Sequence, residues 1–132
     1  MAFGRVTDLT QVRPLTVPND PRTVIRQGTF GATTEAGEIV CMQADGKWDP
    51  ADASAVQLLC GVAIKSGGDT DPAEVVLYGP VKVLVDATPG TAIYISDDAG
   101  EYSETAGTKS HIIGFAETAT ILFVAPRPVA LA

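Results

Sequence analysis

The chain has few of the residues on which common enzyme mechanisms depend. Among its 132 residues there is one histidine, His111, and there are two cysteines. A single imidazole excludes zinc sites built from several histidines and acid–base catalysis by a histidine pair. No serine stands in a Gly-x-Ser-x-Gly motif, and the phosphate-binding patterns GxGxxG and GxxxxGK[ST] are absent. We therefore expect no enzyme activity and no cofactor. We expect His111 to be a surface residue at a strand end.

Long apolar runs are also missing. No run approaches the roughly 18 to 20 residues needed to cross a bilayer, and the opening MAFGRVTDLTQVRPL lacks the continuous apolar stretch of a signal peptide. We therefore expect no membrane partner and synthesis in a cytoplasm.

The two cysteines, Cys41 and Cys60, do not form a Cys-x-x-Cys motif and are too few for a disulfide scaffold. Both stand in apolar stretches typical of strands, IVCMQ and LLCGV. We expect buried thiols, with a disulfide or a metal-binding pair as the alternatives.

Positive charge is scarce and unevenly placed. The net charge of −7 should repel nucleic acid and anionic membranes. Residues 1–27 contain four arginines and two aspartates, a net charge of +2, whereas residues 28–132 contain five basic and fourteen acidic residues, a net charge of −9. This asymmetry indicates two surfaces with different partners, and a short solvated terminus is the alternative.

Residues 1–27 are predicted to form an extended N-terminal arm. Pro14, Pro18 and Pro21 remove backbone donors and favour extended backbone, and neither a strand nor a helix period is evident. Because this region also carries apolar side chains, we predict that it lies on another protein, adds its backbone to a sheet edge and binds carboxylates through arginines. The predicted contact residues are Arg5, Arg13, Arg22, Arg26, Val24 and Ile25.

Residues 28–132 are predicted to form an all-β body. The composition, with 45% hydrophobic residues, 13 glycines and 9 prolines, is too apolar for a disordered chain and too rich in turn residues for a helical one. The spacing of β-branched and aromatic residues is typical of a small antiparallel β-barrel or sandwich. The predicted strands are residues 38–43, 59–65, 73–78, 81–86, 92–96, 111–116 and 120–124.

Turn signals separate these strands, and one segment differs from the rest. The predicted turns are residues 44–46, 66–69, 79–80, 88–90 and 97–100. Residues 49–55 combine an N-cap aspartate, a proline at the first helical position and several alanines, which predicts one short helical turn.

The body contains a quasi-repeat with an offset of 53 or 54 residues. Three blocks align with later ones: residues 37–42 with 90–95, 45–48 with 99–102, and 60–63 with 113–116. The repeat predicts two similar halves that close around one core. The glycines that we expect to serve as structural turns are Gly46, Gly61, Gly90, Gly100 and Gly114.

Two acidic groups are candidate calcium sites. Residues 97, 98, 101 and 104 form one group, and residues 69, 71 and 74 form the other. Carboxylate oxygens suit calcium, but neither group has the EF-hand spacing. Solvated loops are therefore the preferred interpretation, and we expect no metal.

The blocks at residues 37–40, 44–48, 61–63, 88–100, 113–116 and 121–126 together resemble the small cement, or head decoration, proteins that bind the outside of tailed-phage capsids. The resemblance spans residues 30–126. It implies a β-barrel-like body, frequently trimeric, docked across junctions between major capsid subunits, with an N-terminal extension that clamps the shell. It implies a location on the outer surface of the virion, after assembly in the host cytoplasm, and it supplies no catalytic residues.

A binding module for host attachment is the alternative function. Trp48, Tyr78, Tyr94 and Tyr102 could stack on sugars in a glycan-binding, head-fibre or tail module. Aromatic residues in a small β body more often pack in the core or at its rim.

Nothing in the sequence distinguishes a dimer from a trimer.

Overall fold

The computed structural model describes residues 23–52 and 59–127. This part contains no helix, and therefore none that could span a membrane. One antiparallel sheet curls into a half-barrel, which confirms the all-β prediction. Its strands are β1 (Val24–Thr29), β2 (Ile39–Met42), β3 (Trp48–Pro50), β4 (Cys60–Ala63), β5 (Pro72–Lys82), β6 (Ala92–Ile95), β7 (Tyr102–Ser103), β8 (Ile112–Ala116) and β9 (Ile121–Arg127).

The strand order confirms the two similar halves. The sheet runs β3-β2-β4-β5-β9-β8-β6-β7, with β1 also paired to β5. The unit β3-β2-β4-β5 therefore recurs in reverse order as β7-β6-β8-β9, and β6 begins 53 residues after β2. Gly46 and Gly100, at matching positions of the repeat, have nearly equal φ angles of 81° and 79°. These left-handed angles allow the tight turns that open β3 and β7.

A large apolar cluster, here called the inner core, joins the two halves. It contains Ile39, Val62 and Val76 from the first half and Ile93, Ile113 and Leu122 from the second. Side chains that alternate with these point to the opposite face of the sheet. In the first half that opposite face carries a second cluster, here called the outer cluster, which contains Phe30, Val40, Trp48, Ala63, Ala73 and Val75.

Strand β5 holds the halves together because it changes partner along its length. Residues 72–78 pair with β1 and partly with β4, and residues 79–82 pair with β9. The turn predicted at residues 79–80 is therefore wrong. Gly79 instead has φ +118° within a continuous strand, and the alternation shifts there, so that both Val76 and Val81 are buried in the inner core.

Three further expectations differ from the structure. Asp49 and Pro50 belong to β3, so the predicted helical turn is wrong at its start, and residues 53–55 lie outside the described part. His111 is 1% exposed, so it is not a surface residue. Cys41 and Cys60 are buried as predicted, but they form a disulfide instead of free thiols.

Candidate interaction surface

Strand β1 is the most exposed strand. Residues 24–28 are all exposed, and Val24 and Ile25 keep 47% and 42% of their surface. Within the described residues, β1 pairs only with β5, so its other edge offers unpaired backbone groups. Exposed β-branched side chains, an arginine and an open edge together form a surface suited to another protein.

The predicted arm is divided by the boundary of the described part. Val24, Ile25 and Arg26 lie in β1 and are exposed, so the strand that pairs with β5 includes the last four residues of the predicted arm. Arg5, Arg13 and Arg22 lie outside the described residues.

The five glycines singled out from the sequence fall into two groups. Gly46, Gly90 and Gly100 have positive φ and occupy turns, as predicted. Gly61 and Gly114 lie inside β4 and β8, so their prediction as turn residues is wrong. A Cβ atom at Gly61 would approach Val75 Cγ1, and one at Gly114 would collide with the carbonyl oxygen of Phe123. Both glycines therefore allow the neighbouring strand to approach closely.

Three aromatic rings form a ridge on the outer face of the sheet, where β5 of the first half meets β9 and β8 of the second. Phe123 lies between Tyr78 and Phe115, with ring centroids 5.2 Å and 5.4 Å away respectively. Tyr78 and Phe115 keep 46% and 44% of their surface exposed. Aromatic side chains of this size usually lie in cores or interfaces, so this aromatic ridge is a second candidate contact surface.

A hollow of about 270 Å³ adjoins the aromatic ridge. Small residues make it concave, and Ile112 and Phe115 form its larger walls. Its lining contains no charged side chain: Gly90, Ala92, Ile112, Gly114, Phe115 and Ala125. The hollow is therefore suited to an apolar group.

The aromatic ridge was not predicted from the sequence, although the sequence of β9 contains a signal for it. In β9, Leu122 and Val124 are buried in the inner core, and the alternating positions Ile121 and Phe123 are apolar as well. A strand that is apolar at both alternating positions indicates that both of its faces are covered. The apolar run by itself predicts only a strand.

One acidic side chain from each candidate calcium group accepts hydrogen bonds that fix a loop. Asp97 accepts hydrogen bonds from Thr108 N and Thr108 Oγ1 at 2.9 Å and 3.1 Å. Asp71 Oδ2 accepts one from Gly68 N at 2.8 Å. In the described part, no group of three or more His, Cys, Asp or Glu side chains is placed to hold a metal ion.

Among the carboxyl groups of the described residues, that of Asp49 has a pKa clearly shifted from its ordinary value. Burial raises its pKa, the nearby charges of Asp45 and Asp69 raise it further, and Lys47 lowers it. Its Oδ1 atom is buried and has no hydrogen-bond partner. Lys47 lies 3.5 Å from Asp69 and so is already engaged by another carboxylate.

The four aromatic residues that could stack on a glycan differ in how exposed they are. Trp48 and Tyr102 are 1% and 0% exposed and belong to the two apolar clusters. Tyr78 is exposed and Tyr94 is half-buried. The four rings therefore do not form one sugar-binding platform.

Comparison with known proteins adds no assignment. No protein-family model matches the chain, and a search of curated proteins finds no match. The functional argument therefore depends on the surfaces described above.

Proposed function

We propose that this chain is a structural virion protein, a cement or decoration protein that binds the outside of an assembled phage head and stabilises contacts between major capsid subunits. The resemblance of residues 30–126 to that class suggests the role. Exposed strand β1 is the structural observation that supports it best.

Strand β1 has the properties that binding to a shell would use. A partner strand can add to its open edge through backbone hydrogen bonds, which provide affinity without catalytic groups. Val24 and Ile25 supply apolar surface, and the Arg26 guanidinium can bind a carboxylate of the capsid protein. The strongly acidic remainder of the chain disfavours nucleic acid as the partner.

The mechanism is linkage between binding and assembly. A protein that binds the assembled shell more tightly than separated subunits shifts the equilibrium toward the shell. Bridging adjacent subunits opposes their separation under the pressure of packaged DNA. A homo-oligomer, with a trimer favoured, would multiply the number of subunits that one complex joins.

The disulfide agrees with a location on the virion. Disulfides persist in oxidising surroundings, which include virion surfaces, and are rare in the cytosol. The Cys41–Cys60 bond is therefore expected to form after the particle leaves the host cytoplasm in which it is assembled.

The proposal is tested with purified heads that lack this chain. Added protein should bind them and raise their melting temperature in calorimetry. Ile25→Asp should weaken binding by about tenfold or more, because it places a charge in an apolar contact. Val85→Asp is the matched control, since Val85 is also exposed, at 38%, but belongs neither to β1 nor to the β5 residues that pair with it.

A second pair of variants tests the charge. Arg26→Glu should weaken binding, whereas Lys65→Glu, which makes the same charge change at another exposed site, should not. If heads melt at the same temperature with and without the protein, the proposed function is contradicted.

A further inference from the structure

The outer faces of the two halves differ in what covers them. In the first half, Phe30 and Trp48 pack over Val40 and Val75, and all four are at most 1% exposed. In the second half, the corresponding outer face carries the aromatic ridge and the hollow, and no described residue covers them. One apolar outer face is therefore closed by the chain's own residues and the other is open.

The size of the open face suits an extended segment. The aromatic ridge and the hollow cross four neighbouring strands, β5, β9, β8 and β6. Three strand spacings amount to about 14 Å. A folded partner in a stable complex usually needs a large surface, about 800 Å² on each side. An extended chain needs only four or five residues to cross about 14 Å.

The described chain begins at the edge of this face. Val24 pairs with Tyr78, the first ring of the aromatic ridge. Thr23 lies against Gly79 of β5, because a Cβ atom added to Gly79 would lie 2.9 Å from Thr23 Cα. Residues 1–22 therefore join the body beside Tyr78, and their length far exceeds the distance across the face.

The sequence of residues 1–22 contains a matching apolar pattern. Five of its large apolar residues recur at every third position, Phe3, Val6, Leu9, Val12 and Leu15, whereas Val17 falls outside this period. In an extended left-handed chain with three residues per turn, such residues share one side. Arg5, Arg13 and Arg22 fall at other positions of this period.

We propose that residues 1–22 bind across the aromatic ridge of their own chain, with one apolar side chain in the hollow. Binding within one chain is favoured because the attachment at Thr23 gives the segment a high effective concentration at this face. The arginines then project away from the apolar face and remain free to bind a carboxylate partner. This inference concerns the isolated protein and does not depend on capsid binding.

The first test uses nuclear magnetic resonance of the full chain. Nuclear Overhauser effects are expected between the rings of Tyr78 or Phe115 and the methyl groups of Val6, Leu9, Val12 or Leu15. A sample that mixes labelled and unlabelled chains shows whether each contact lies within one chain or between two chains. Absence of these contacts, or contacts only between different chains, would overturn the proposal.

The second test uses trypsin. Cleavage after Arg5 requires that segment to leave the body, while Pro14 blocks cleavage after Arg13. Phe115→Ser should speed cleavage after Arg5 by about tenfold, whereas Val85→Ser, at a similarly exposed apolar residue, should leave the rate unchanged. Tyr78→Ser provides a second variant if Phe115→Ser does not fold. Equal rates in a folded ridge variant and the control would refute the inference.

Discussion

Cys41 and Cys60 lie directly opposite each other on β2 and β4, with their Cα atoms 4.2 Å apart, and form a disulfide. Both side chains are buried, at 0% and 4% exposure, in the inner core. The bond fixes the first half of the body at a point where the second half has Tyr94 and Ile113 at the aligned positions. The two halves therefore share a topology but are stabilised differently.

Reduction of this disulfide should destabilise the protein. The bond closes a loop with a sequence separation of 19, and a loop of that length contributes about 3 kcal/mol by restricting the unfolded chain. Urea unfolding with and without a reductant measures the effect. The double variant Cys41→Ala/Cys60→Ala should show no response to the reductant. Two titratable thiols in unreduced, denatured protein would contradict the prediction.

Gly79→Ala should destabilise the protein by about 3 kcal/mol, since the residue has φ +118° and its Cβ atom would meet Thr23. Hydrogen exchange in β1 should also become faster because Thr23 would be displaced. Gly68→Ala is the control, as the nearest atom to a Cβ there is 3.7 Å away. The prediction fails if thermal unfolding shows equal losses for the two variants.

Tyr102→Phe should cost about 1 to 2 kcal/mol. The Tyr102 hydroxyl donates a buried hydrogen bond to the carbonyl oxygen of Gly37, so it links β7 of the second half to the start of β2 in the first. Tyr94→Phe, at a half-buried tyrosine, serves as the control with little expected change. Chemical denaturation provides both values, and equal stability of the two variants would exclude a role for the hydroxyl.

Asp49→Asn should raise the melting temperature at neutral pH. Because burial and the charges of Asp45 and Asp69 raise the Asp49 pKa, the folded state holds this proton more tightly than the unfolded state does. Ionisation therefore disfavours folding as the pH rises through the range from the ordinary aspartate pKa to the raised one. Below that range Asp49 is protonated in both states, so the gain from Asn should disappear.

The control for this pH dependence is Asp98→Asn, at an exposed hairpin aspartate. It should change the melting temperature little at neutral pH, because the Asp98 side chain is exposed. A stabilisation by Asp49→Asn that stayed constant from pH 3 to 7 would show that the pKa shift is not its cause.

The strands that lie in apolar runs of four or more residues were predictable, whereas the two shortest strands were not. β2, β4, β6, β8 and β9 overlap predicted segments. β3 and β7 have three and two residues, too few for any period to show, and their pairing with β2 and β6 defines them. In β5 the Gly79-Pro80 pair has the composition of a turn, but pairing on both sides keeps the strand continuous.

The candidate surfaces were predictable only in part. Val24, Ile25 and Arg26 were identified from composition and charge, and the structure places them on an exposed strand. The aromatic ridge requires Tyr78, Phe115 and Phe123 to meet across three strands, which depends on register. A shift of one residue in any of these strands would turn its ring to the inner face.

By itself the sequence determined the all-β class, the repeat with its turn glycines and the contrast between a basic N-terminal region and an acidic body, because these follow from local backbone preferences and from composition. The tertiary structure decided the disulfide, the burial of His111, Trp48 and Tyr102, and the open apolar face of the second half. Each of these depends on strand register and on how the halves curl around the inner core, which bring together residues far apart in the chain.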